Sequence, residues 1–152
     1  MTRAQSPPSR LARAHHHCRE HQLTLTPIRS LVLDLLNEVR TPIGAYRLDH
    51  QLEQELGRPV APPTVYRALK FLCRAGLAAR VEHCQGWVLR ETPGDTGGFA
   101  LLVCNGCGQV RELACPQLRE DFLRLARSRD FEPGACLMEV SGACASCQEP
   151  CR

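Results

Sequence analysis

The chain has 152 residues, 43% of them hydrophobic and 23% charged, with a net charge of +3. That is length for one large domain or two small ones, and too apolar for a disordered segment. The longest apolar run, Phe99 to Cys104, is too short for a bilayer, and the N-terminal stretch lacks the apolar core of a secretory signal, so membrane and exported classes are not expected.

Charge is unevenly divided. Residues 1–80 hold 12 Lys and Arg against 6 Asp and Glu, whereas residues 81–152 hold 7 against 10. A basic first half joined to an acidic second half suggests two domains with two tasks. Ten cysteines in a chain without a secretory signal favour metal binding over disulfides.

In chain order, Ser9 to Gln22 reads as a helix with a His-rich polar face. Thr26-Pro27 is an N-cap followed by proline at the first helical position, and Ile28, Leu31, Val32 and Leu35 form an apolar stripe behind it. A third helix is expected from about Gly44 to Leu56, burying Tyr46 or Leu48 together with Leu52 and Leu56. Pro62-Pro63-Thr64 opens a fourth, closed by Gly76. Its Val65, Ala68, Leu69 and Leu72 share one face, while Arg67, Lys70 and Arg74 gather on the other. Strand-like segments follow at Leu77 to His83 and Trp87 to Glu91, around a Gln85-Gly86 turn. Short helices followed by a two-stranded hairpin make a winged helix-turn-helix, in which the last helix enters the DNA major groove.

Thr92 to Gly98 is a linker by composition. Phe99 to Val103 and Gln109 to Leu113 read as strands around a Cys104-Asn-Gly-Cys107-Gly108 turn. Pro116 to Ser128 reads as an amphipathic helix with Leu118, Phe122 and Leu125 on its stripe, and Cys136 to Val140 as a last strand. The expected organisation is α+β: a winged-helix domain over residues 1–91, a hinge over 92–98, and a small α/β domain over 99–152.

Cys104-x-x-Cys107 and Cys144-x-x-Cys147 lie 36 residues apart. Two such pairs bracketing one small domain are the signature of a structural four-cysteine zinc site, which needs four thiolates in a tetrahedron. Cys73 and Cys136 are expected to be small packed or partly exposed residues, with Cys136 on a strand; Cys115 and Cys151 fit either description. A thiol-disulfide oxidoreductase is disfavoured, because its C-x-x-C opens a helix in a βαβ setting whereas these pairs sit at strand ends. A zinc-stabilised interaction domain without DNA binding is disfavoured by the basic helix.

The segments LTPIRSLVLDLL and PPTVYRALKFL, followed by a hinge and then CNGCG and CASC, resemble the ferric uptake regulator family and, within it, the zinc-sensing members. The resemblance runs from about Cys18 to Cys147. It implies a cytoplasmic, homodimeric repressor whose second domains pair, which binds a palindromic, A·T-rich operator when zinc-loaded, and which controls zinc-uptake genes. It places Tyr66 and Arg67 at the bases, making Thr64, Tyr66, Arg67, Lys70 and Arg74 the candidate DNA contacts. It also places Cys104, Cys107, Cys144 and Cys147 at one structural zinc per protomer.

The usual sensory ligands of such proteins fall, by the same resemblance, at Ala79, Arg90, Gly97 and Glu112, of which Glu112 alone can bind a cation. Three readings of the response stay open. A rebuilt sensory site would use Glu112, His83 and Cys84, with Cys115 as a substitute for Glu112. Metal would otherwise enter at the N-terminal helix, through His15, His16, His17, Cys18 and His21. In the third, the chain has lost the sensory site and binds DNA constitutively or answers thiol oxidation at Cys84, Cys115 or the zinc thiolates.

Overall fold

In a computed structural model the described residues are 8–94, 98–134 and 136–148. Helix α1, Arg10–Glu20, begins where the Ser9 hydroxyl accepts the N–H of Ala12. Helix α2, Pro27–Glu38, is capped by Thr26, whose hydroxyl accepts from Arg29. Its stripe is wider than the sequence pattern suggests: Val32 and Leu35 are buried, but so are Leu33 and Leu36. The reason is position, since α2 packs against α1, α3, α4 and the hairpin that follows.

Helix α3, Ala45–Leu56, buries Leu48 and Leu52 and leaves Tyr46 exposed, so the core residue of that pair is Leu48. Helix α4, Pro62–Arg74, buries Val65, Ala68, Leu69 and Leu72, the face read from the sequence. Strands β1 (Ala78–Val81) and β2 (Gly86–Leu89) pair antiparallel. Ile43, in the loop before α3, adds a bridge to Trp87 through two backbone hydrogen bonds of 2.9 and 3.0 Å, which no sequence pattern announced.

The second sheet has the order β4-β3-β5, with β3 Phe99–Cys104, β4 Val110–Ala114 and β5 Met138–Gly142. β4 is antiparallel to β3 and β5 is parallel to it, after the crossover through α5, Pro116–Arg127. Cys136 precedes β5 rather than lying on it, a correction to the expected strand bounds.

The β1–β2 hairpin is buried on both sides. Ala78, Trp87 and Leu89 belong to the core built on the helices, whereas Ala79, Val81 and Val88 pack with Leu101 and Val103 of β3. A free wing would have alternated buried and exposed positions; here β2 is buried throughout because a second sheet covers its far face. Helix α5 goes the other way: it has no buried residue, and its Leu118, Phe122 and Leu125 face outward. No helix among the described residues is long and apolar enough to cross a membrane.

Candidate metal centre and nucleic-acid interface

Cys104 and Cys107 close the end of β3, and Cys144 and Cys147 follow β5 directly. Because β3 and β5 run parallel with Cys104 opposite Gly142, the two C-x-x-C turns leave the sheet at the same end. All four sulfurs lie within 4.8 Å of one another. The Cys107 and Cys144 sulfurs are 3.8 Å apart, the edge of a tetrahedron with metal–sulfur bonds of ~2.3 Å. The cluster therefore fits a zinc ion.

The surrounding backbone supports this chemistry. The N–H of Cys144 donates to the Cys104 sulfur at 3.3 Å. That contact, followed by N–H groups of Cys107 and Gly106, holds the Cys104 thiol down at about 6. Cys147 is pushed up to about 12 by hydrogen bonds from its sulfur to Cys144, Cys104 and Cys107, which favour its protonated form. Four sulfurs thus do not all ionise without a cation to share. Two glycines make the turn possible. A Cβ on Gly106 would come within 2.9 Å of the Cys147 Cβ, and Gly108 holds a φ of +70°.

The candidate sensory set is not brought together. Among the described residues, the four cysteines are the only group of three or more His, Cys, Asp or Glu with ligand atoms close enough for one ion. His83 and Cys84 sit exposed on the wing turn. Glu112, the third member of that set, is already engaged. Its carboxylate accepts from Arg90 Nε and Nη2 at 3.3 Å each, and from the N–H of Glu91 at 2.8 Å. Arg90 is the buried charged residue of the described chain, and its guanidinium also lies 3.7 Å from the centre of the Phe99 ring. A guanidinium in that place repels an incoming cation and neutralises the carboxylate that would hold it. The sequence shows that Arg90 cannot bind a cation but does not pair it with Glu112.

Ala79 is buried in the interface with β3, and Gly97 lies outside the described residues, as does Cys151. Cys115 is the N-cap of α5 and belongs to no ligand cluster among the described residues. On α1, Cys18 is buried in the core, the His17 and His21 rings meet at a 41° tilt with centroids 4.2 Å apart, and His16 meets Glu20 at 3.2 Å.

Helix α4 turns Tyr66, Arg67, Lys70 and Arg74 to solvent, with Thr64 half-buried near its start. Tyr66 meets Trp87 edge-on at 6.0 Å, so the wing supports the helix from below. Arg80, on the wing, lies 5.6 Å from the centre of the Trp87 ring and adds an exposed cation beside this face. Its sequence signal is a lone cation between the apolar strand positions Ala79 and Val81.

Against known proteins, residues 20–141 match the model of the ferric uptake regulator family. The chain is 36% identical over 143 residues to the zinc uptake regulation protein of Escherichia coli K12, covering 91% of this chain and 81% of that protein. A solved zinc uptake regulator complexed with zinc and DNA superposes with a TM-score of 0.80 at 33% identity, covering 90% of this chain and 91% of the other. The holo form of XcZur superposes with a TM-score of 0.78, also at 33% identity, over 90% and 95% of the two chains.

Proposed function

The chain belongs to the ferric uptake regulator family, and from that premise we propose that it is a zinc-responsive, DNA-binding transcriptional repressor that controls zinc-uptake genes. It is a regulator and not an enzyme. The observation that carries the reading is the likeness to a zinc uptake regulator solved with both zinc and DNA, in a chain that gathers four cysteines at one point.

Residues 1–91 form the DNA-reading unit, 92–98 the hinge, and 99–152 the zinc-binding and dimerisation unit. Cys104, Cys107, Cys144 and Cys147 hold the structural ion, which when bound supplies a tetrahedral crosslink between the end of β3 and the turn after β5. The protein acts in the cytoplasm as a homodimer on a palindromic, A·T-rich operator. The outward apolar residues of α5, with Leu113 and Val140 on the two outer strands of the sheet, are the surface a second copy covers. Thr64, Tyr66, Arg67, Lys70 and Arg74 face the DNA. An Arg at the front of such a helix suits the O6 and N7 of guanine, and a Tyr ring suits a thymine methyl.

The test is selection of duplexes from a random pool by the zinc-loaded protein and by chelator-treated protein. Zinc-dependent enrichment of a palindrome is the expected result. Arg67→Ala then weakens binding to that palindrome by about 1–3 kcal/mol and relaxes one position in each half-site. Equal losses on selected and random DNA would make Arg67 a phosphate contact instead.

A further inference from the structure

The wing is held to the second sheet by a device to which neither zinc nor DNA assigns a role. Arg90 follows β2 on the same side as Val88, the side that packs on β3. Across the interface, Leu101 of β3 is flanked by Glu112 in the antiparallel register and by Glu139 in the parallel one. Both carboxylates therefore leave the sheet on the face that Leu101 presents to the wing. Glu112 takes the Arg90 guanidinium and the N–H of Glu91 at the base of the hairpin. Glu139 takes the N–H groups of Glu82 and His83, at 2.8 and 2.9 Å, at its tip.

Burying an ion pair adds little net stability, but an arrangement that separates the partners leaves a buried charge uncompensated. Such a pair selects one docked geometry over its alternatives. That geometry extends to the DNA face, because α4 runs into β1 through Gly76 and Leu77 and the Leu77 N–H still bonds the Leu72 carbonyl at 2.9 Å. Fixing the wing fixes the angle of α4, and in a dimer it fixes the spacing of the two reading helices.

We propose that Glu112 and Glu139 form a metal-free clamp on the wing, with Arg90 as a positioning residue for α4. The DNA-competent form then needs one zinc per protomer, at the four cysteines, and no second ion at the hinge, so the zinc response is the loading of that four-cysteine centre. The clamp rests on the DNA-binding reading above, since α4 is what it positions.

The test uses the full-length chain, its zinc content by elemental analysis, its radius by small-angle scattering, and its affinity for the duplex that wild type selects. Wild type carrying about one zinc per protomer binds fully, and further free zinc changes Kd by less than about twofold. Arg90→Gln keeps that zinc, expands, and loses about tenfold or more in affinity, because the docked form falls to a minor population. Arg90→Glu combined with Glu112→Arg restores both radius and affinity. Should Arg90→Gln fail to fold, Glu139→Ala frees the wing tip alone and carries the same prediction at about threefold. A wild type that binds DNA only after a second equivalent of zinc overturns the clamp. So does a folded Arg90→Gln, or in its place Glu139→Ala, with unchanged radius and affinity. Failure of zinc-loaded wild type to select any duplex overturns the DNA-binding reading instead, and the radii alone then decide the clamp.

Discussion

At the four-cysteine centre and at the wing junction, ionisable side chains from separate strands meet at one point. At the first, all the ligand atoms are sulfurs, and N–H donors stabilise the Cys104 thiolate while Cys147 is held in its protonated form. That is a site short of positive charge. At the second, the carboxylate of Glu112 already faces the guanidinium of Arg90, and that pair balances its own charge within the chain. The contrast shows where an external cation can act on this protein: it belongs where the chain has left negative charge unbalanced, and it has no place where an arginine supplies the balance.

Loss of a ligand is the severest challenge to that contrast. Cys104→Ser is expected to release the zinc and unfold the second domain, because zinc-binding free energy in such small units is about 10 kcal/mol or more and is folding free energy. Elemental analysis and far-ultraviolet circular dichroism check it. Retained zinc with an unchanged spectrum would remove the cysteines as the metal centre and with it one side of the contrast.

A smaller effect probes the charge argument itself. Binding zinc requires the Cys147 thiol, pushed up to about 12, to give up its proton, whereas Cys104, held at about 6, is already largely ionised at neutral pH. Each proton released makes the apparent zinc affinity rise by about tenfold per pH unit. Competition with a chelator of known affinity between about pH 6.5 and 8 is expected to show at least that slope, with affinity rising as pH rises. A flat profile would mean that the metal-free cluster is already fully charged.

The two regions were also unequally legible in the sequence. The cysteine pairs announce themselves because the chemistry is local: a C-x-x-C turn sets two sulfurs, and only their meeting needs the fold. The buried face of α4 and the caps at Ser9 and Thr26 are legible for the same reason. Arg90 and Glu112 stand 22 positions apart, and their meeting depends on the β3–β4 register and on the second sheet covering the wing, neither of which has a local signal. The Ile43–Trp87 bridge and the choice of Leu48 over Tyr46 are likewise decided by packing across the chain. The α5 stripe was legible as a stripe; that it points away from its own protomer was not.

The smallest expected effect bears most directly on the junction. His83 and Cys84 offer an imidazole and a thiol on the wing turn, close in sequence to the strand that leads to Arg90, and by residue type alone they are good zinc ligands. Their side chains are exposed, and what anchors the turn is the main-chain N–H groups of Glu82 and His83 on Glu139, the second a contact that any residue but proline would keep. Replacing them together, His83→Ala with Cys84→Ser, is therefore expected to leave zinc content at about one per protomer and to shift affinity for the selected duplex by less than about twofold, within the range of ordinary surface substitutions. Elemental analysis and titration of the duplex in the same preparation check both numbers. Loss of a zinc equivalent together with loss of DNA binding would make the junction a second metal centre, and the distinction between a site that takes its cation from solution and one that carries its own would collapse.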